Sequence, residues 1–373
     1  MTHFWDKNIF EQWKIRFFSK TLSTTNLSNG VNSETPTIYN HTVQYEYDID
    51  GRADILTYVT LTIIPFILVA GLAGNIITLI IFYKPQSQFR SLLGYYFSKL
   101  ATADLIVILL WIPLFIRMIG VFDNVTGSIL LAIYYAHLEI PLLNAAMGTS
   151  IFIVVALTID RYISACRPHY FKIVHTKKNA LRSVIIATAL SVLLSAPLCL
   201  LKKFHESPDG FYIVSERRAV TSQLSWHIFV FSSEILVRVI PIILLTVLNA
   251  CILRKFTKLS KRRIDLKGSA SAMAASDYQR ERRYFLMLSG VVAIFLITTL
   301  PSAIMAIIYS EDLEKYFSFL VFKNVTNVLE VCNFASNFYL YILCSPEVRK
   351  IFQKRFRCNS SLISSETSGE TNP

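Results

Sequence analysis

The chain has 373 residues, of which 53% are hydrophobic and only 17% charged, with a formal net charge of +12 and a mean hydropathy of +0.46. Soluble domains carry about a quarter charged residues, so this composition excludes an ordinary soluble protein and points to membrane spans. In such a chain a positive excess reflects loop bias rather than nucleic-acid binding.

Residues 1–56 are polar and rich in Ser, Thr and Asn. The first twenty mix Asp6, Glu11, Lys14 and Arg16 with aromatics and lack the unbroken apolar core of a signal peptide. Asn26-Leu-Ser28 and Asn40-His-Thr42 are glycosylation sequons, as is Asn124-Val-Thr126 further on. Seven apolar runs follow, near 57–83, 91–118, 129–163, 180–201, 225–253, 283–309 and 319–344. Each is long enough as a helix to cross a hydrocarbon core of about 30 Å. The expected fold is therefore all-α, a seven-transmembrane bundle over 57–344. The fifth and seventh runs are the least uniform, because Glu234, Arg238 and Glu330 lie within them.

Lys and Arg crowd alternate connections: Lys84 and Arg90, then Arg167, Lys172, Lys177 and Lys178, then a dense basic stretch from Arg254 to Arg283. The connections between them are poorer in base, so the N-terminus is expected outside and the C-terminus inside. Asn26, Asn40 and Asn124 then all face the lumen. The outer connection 202–224 holds Ser207-Pro208-Asp209-Gly210 followed by Phe211-Tyr212-Ile213-Val214, which predicts a hairpin lid. Beyond Cys344-Ser-Pro346, the apolar positions Val348, Ile351, Phe352 and Phe356 interleave with Arg349, Lys350, Lys354, Arg355 and Arg357. That pattern predicts an amphipathic eighth helix over 345–358 lying on membrane lipid, with Cys358 as an acylation candidate. Residues 359–373 are expected to form a disordered cytoplasmic tail, solvated or phosphorylated.

The spans carry an ordered set of short motifs. Gly74-Asn75 is in the first, Leu100-Ala-Thr-Ala-Asp104 in the second and Asp160-Arg161-Tyr162 at the foot of the third. Pro241 is in the fifth, Phe295-Leu-Ile-Thr-Thr-Leu-Pro301 in the sixth and Asn337-Phe-Tyr-Leu-Tyr341 in the seventh. Over residues 57–357 the chain resembles the rhodopsin-like G-protein-coupled receptors, and most of all invertebrate FMRFamide-related neuropeptide receptors. The resemblance implies a sodium site at Asp104, Ser150, Asn333 and Asn337. It also implies a switch in which Arg161 pairs with Asp160 and with Glu281, beside Tyr162, Asn337 and Tyr341. Pro301 cannot donate a helical hydrogen bond, so the sixth span can hinge there and swing outward to admit a heterotrimeric G-protein. The resemblance implies the plasma membrane as the location, and arrestin as a further partner.

Several positions depart from the family pattern. Ala136 stands where a cysteine usually tethers the third span to the lid, and 202–224 contains no Cys. Thr299 replaces the tryptophan above the sixth-span proline, Phe338 the seventh-span proline and Asn249 the low fifth-span tyrosine. The lid must then be held by other means or be mobile.

Polar residues in the outer halves of the spans are the candidate ligand contacts: His137, Glu139, Asn144, Glu234, Arg238, Asn327 and Glu330. Glu234 and Arg238 are four apart and either neutralise each other or serve a ligand. Glu139 and Glu330 have no local partner, and an unpaired intramembrane acid is a functional-site hypothesis by default. A peptide of RFamide type would bring a guanidinium to such acids and an aromatic ring to the residues around them. A chemosensory or small-molecule receptor is the alternative on the same fold; a transporter or channel is a second, though no internal repeat is evident. No HExxH, GxSxG or nucleophile–base pair suggests an enzyme, and no cofactor beyond the sodium ion is implied.

Overall fold

The computed structural model describes residues 37–83, 92–118, 125–265, 272–308, 313, 316–346 and 348–354; within these, the side chains of 37–58, 83, 118, 125, 172, 259–265, 272–281 and 284 lie outside the description. The tail sequon Asn26, the loop sequon Asn124, the acylation candidate Cys358 and the tail 359–373 fall outside it.

Apolar runs without local charge become helices, since a backbone in hydrocarbon must satisfy its own hydrogen bonds. Span one is the helix Thr37–Tyr83, which begins well ahead of the apolar run and includes Asn40. Span two is Leu92–Met118. Span three runs through Ile129–Ile133, Tyr134–Leu138 and Glu139–Cys166, the middle piece being a π-helical turn. The short helix Pro168–Val174 leads to span four, Lys177–Ser195, which tightens into a 3-10 turn over Ala196–Leu200. Span five is Leu224–Glu234, a second π turn Ile235–Val239, and Ile240–Asp265. Span six is Ala272–Ile308, with Pro301 inside it. Span seven is Phe317–Ala335 continued by Asn337–Cys344.

Six of these helices are apolar enough to cross a membrane by composition alone, from Val59–Phe82 to Phe285–Ile308. Span seven is not among the six, because it carries Lys323, Asn327 and Glu330. All three are buried against the bundle, away from the apolar surroundings.

Each π turn sits just before a proline, Pro141 and Pro241. A proline ring clashes with the carbonyl four residues back and offers it no N–H. Widening the preceding turn to a five-residue hydrogen bond, Glu139 to Tyr134 and Ile240 to Ile235, relieves that conflict. His137 and Arg238 lie inside these turns, so the widening sets their direction.

Span three packs against spans two, four and five, and span seven against one and six. One core cluster, with Phe97, Leu100, Leu157, Leu288, Phe338 and Tyr341, fills the end near Asp160. A second, with Ile64, Val107, Trp111, Leu143 and Phe334, fills the half beyond Asp104. Where spans one and seven cross there is no room for side chains: a Cβ on Gly71 would meet Ala335 Cβ at 2.8 Å, and one on Gly74 would meet Phe338 Cβ at 3.0 Å. Asn75 Nδ2 donates there to Phe334 O at 3.0 Å.

The predicted hairpin is present. Strands β2 (Lys202–Glu206) and β3 (Tyr212–Glu216) pair antiparallel, with Phe204 opposite Val214. Gly210, at φ +76°, takes the left-handed position of the connecting turn. Strand β1 (Val125–Thr126), from the connection between spans two and three, adds to β3 and makes a three-stranded sheet. At the other end of the bundle, residues 348–354 are helical; Val348, Ile351 and Phe352 pack on the core while Arg349, Lys350 and Lys354 are exposed. This is the amphipathic eighth helix expected from the spacing.

Candidate ligand site and switch

At the sheet end, Glu139 is 1% exposed and is not the unpaired acid expected from sequence. Arg117 of span two grips it with two bonds, Nη2 to Oε2 at 2.6 Å and Nε to Oε1 at 3.1 Å. Lys202 Nζ of β2 lies 3.8 Å from the same carboxylate. The partners come from other elements, which local spacing cannot reveal. His137 Nδ1 is 2.8 Å from the Cys199 carbonyl at the end of span four, and its ring meets Phe204 of the lid. Ala136, where a cysteine was expected, packs with Val214, Phe204 and Tyr212. The lid is therefore fastened to span three by an ion cluster, a hydrogen bond, an apolar seam and the β1 strand.

Deeper in the bundle, Arg238 collects both remaining acids. Glu234 is 3.2 Å away on its own span, the pairing anticipated from their spacing. Glu330 of span seven accepts from Nη2 at 2.6 Å, so it too is paired, contrary to expectation. Arg238 Nη1 also reaches Ser302 O of span six at 3.5 Å. One buried guanidinium thus joins spans five, six and seven. Two carboxylates, from spans five and seven, thus share one guanidinium. Beside it, Ser302 Oγ and Asn327 Oδ1 are buried with no hydrogen-bond partner among the described residues. Unfilled polar atoms next to two carboxylates suit a donor-rich ligand group. Asn144 donates to Ile140 O at 2.9 Å and lines, with Ser195, Ser233, Glu234 and Arg238, a cavity of about 40 Å³.

Toward the other end, Asp104 is fully buried. Ser150 Oγ donates to its Oδ1 at 2.5 Å and Asn337 Nδ2 to its Oδ2 at 2.7 Å. Three of the four expected sodium residues meet here; the hydrogen bond recorded for Asn333 is through its main-chain carbonyl, which accepts from Ser336. A carboxylate and a hydroxyl are fitting ligands for a small hard cation, and a turned Asn337 amide would add a third oxygen. Tyr341 packs against Phe97 at 4.7 Å between ring centres, and its hydroxyl has no partner among the described residues.

At the foot of span three, Arg161 Nη2 donates to Asp160 Oδ2 at 2.5 Å. Asp160 Oδ1 is taken by His175 Nδ1 at 3.0 Å. Tyr162 is half-buried beside the pair. Glu281 is within the helix Ala272–Ile308, but its side chain lies outside the described residues, as does the proposed contact with Arg161. Sequence reasoning missed Arg117, Lys202, Ser302 and His175. Pro141 and Pro241, by forcing π turns, were the local signals for the directions of His137 and Arg238.

A family model for the seven-transmembrane receptors of the rhodopsin family matches residues 74–341. The chain belongs to this family: it is a multi-pass, rhodopsin-family G-protein-coupled receptor. It is 29% identical to a Caenorhabditis elegans protein named as a probable G-protein coupled receptor, over 79% of this chain and 69% of that one. It is 25% identical to the FMRFamide receptor of Drosophila melanogaster, over 76% of this chain and 51% of that one. Identity to the human neuromedin-U receptor 2 is 23%, over 82% of this chain and 71% of that one.

Proposed function

We propose that this receptor sits in the plasma membrane with its N-terminus outside and responds to an extracellular neuropeptide of RFamide type. The observation that carries the reading is the buried Glu234–Arg238–Glu330 array, two carboxylates on one guanidinium, with the buried polar atoms Ser302 Oγ and Asn327 Oδ1 beside it lacking a hydrogen-bond partner among the described residues. A ligand guanidinium there would compete with Arg238 for Glu330 and Glu234. Because Arg238 also contacts Ser302, beside Pro301, that competition would act directly on span six. Span six then moves outward at its other end, releases Arg161 and opens a groove for a heterotrimeric G-protein. Arrestin and inner-leaflet lipid are further partners in this reading. The names of the Drosophila and human relatives support a peptide ligand.

The test is GTP loading of a panel of G-proteins by receptor-bearing membranes, challenged with amidated peptides and, separately, with odorants. Amidated peptides ending in Arg-Phe should promote loading, and Glu330→Gln should raise the concentration needed by about tenfold or more, the loss of one charged hydrogen bond. Response to odorants alone would overturn the reading. Sodium beside Asp104 is part of the same proposal: sodium should raise the unfolding temperature of purified receptor relative to a bulky organic cation, and Asp104→Asn should abolish the difference.

A further inference from the structure

The foot of span three contains a residue that neither the motif nor the family match assigns. His175 lies fourteen positions beyond Arg161, just after the helix Pro168–Val174, and its Nδ1 is 3.0 Å from Asp160 Oδ1. Its ring stacks on Phe171, with centres 4.3 Å apart and planes at 24°. The loop around it is fastened by Asn179, whose side chain donates to Val174 O at 3.1 Å and whose main-chain N–H caps onto Thr176 Oγ1. His175 is thus held in place by its own segment and aimed at one oxygen of Asp160, while Arg161 takes the other.

We infer that His175 is a positioning residue of the Asp160–Arg161 switch and makes its resting state sensitive to the pH on its own side of the membrane. A ring nitrogen that faces a carboxylate oxygen at hydrogen-bond distance carries the proton, so Nδ1–H is the donor in the neutral ring. The ring's other nitrogen, Nε2, is where an imidazole with its Nδ1 so engaged takes up a second proton and becomes a cation. Neutral His175 orients Asp160 through one bond and leaves the carboxylate's charge to Arg161. The imidazolium draws on that same charge, and its Nδ1 stands 3.5 Å from Arg161 Nη2, where two cations repel. Among the described residues, Tyr96 of span two is close to both Asp160 and Arg161, and Lys177 and Lys178 follow His175 in sequence and are exposed. Asp160 is the acid that faces both His175 and Arg161, so protonating His175 places a second cation on that carboxylate. Arg161 is loosened, and ligand-free signalling rises as the pH falls.

The inference rests on reading Asp160–Arg161 as a switch, and the test separates the two. Ligand-free GTP loading of a G-protein panel by open membrane sheets is measured at pH 6.0 and 7.5, for the wild type and for His175→Gln, His175→Ala and Arg161→Ala. The wild type should load about three- to tenfold faster at pH 6.0 than at 7.5, the range one hydrogen bond spans. His175→Gln keeps an N–H donor without a titrating proton; it should load as slowly as the wild type at pH 7.5 and stay flat relative to it as the pH falls. His175→Ala loses the donor and should load faster at both values. Arg161→Ala should lose the loading seen at pH 6.0. If His175→Gln retains the wild-type pH response, or if the wild type shows none, the role of His175 is refuted while the switch stands. If Arg161→Ala loads like the wild type, the switch and this inference both fall.

Discussion

Glu139 shows why a single residue's role depends on elements far from it in sequence. As an acid in an apolar run it suggested a ligand contact, yet Arg117 encloses it and leaves it 1% exposed. Removing one partner of a buried pair leaves the other charge desolvated, at a cost of about 3 kcal/mol or more. Glu139→Gln should therefore lower the unfolding temperature of detergent-solubilised receptor. The double variant Glu139→Leu with Arg117→Met should recover most of that loss, because it removes both charges together. An unchanged temperature in the single variant would show that the cluster does not hold the lid. The same limit explains what was legible. The i, i+4 pair of Glu234 and Arg238 could be seen in the sequence, as could Asp104 and Asp160-Arg161-Tyr162. The partners Arg117, Lys202 and His175 could not, since only the folded bundle brings them near.

At the scale of the element, hydrophobic runs gave all seven helices because length and polarity alone dictate a membrane span. The turn chemistry of Pro208-Asp209-Gly210 gave the hairpin, whereas β1 pairing with β3 escaped notice, since a two-residue strand leaves no periodicity to read. The crossing of spans one and seven makes a sharper claim. A Cβ on Gly71 would lie 2.5 Å from Ile108 Cδ1 and 3.1 Å from Ala335 Cα. The side-chain end can yield but the backbone cannot, so Gly71→Ala should cost about 1–3 kcal/mol. Ile108→Ala should rescue it only in part, measured as unfolding temperature; full rescue would place the conflict on Ile108 alone.

At the scale of the whole molecule, the two ends are held by different means. The end near Asp160 is a broad apolar core sealed by the eighth helix through Val348, Ile351 and Phe352. The sheet end relies on the Arg117–Glu139–Lys202 cluster, the His137 bond and the seam of Ala136 with Val214. The five described cysteines, Cys166, Cys199, Cys251, Cys332 and Cys344, are free. Thiol reductants should therefore leave the unfolding temperature and the ligand response of this receptor unchanged. A marked loss of either on reduction would contradict that account.

The π turns at Tyr134–Leu138 and Ile235–Val239 have one more effect. Each holds an extra residue relative to a regular turn, so the helix beyond it is rotated by about 100° about its axis. The face that a residue presents before the turn is not the face predicted by counting across it. A relative whose helix runs through either place as a regular α-helix would hold one residue fewer there. Comparing pocket positions between such relatives therefore requires a single-residue gap inside a helix, a place where sequence comparison ordinarily forbids one.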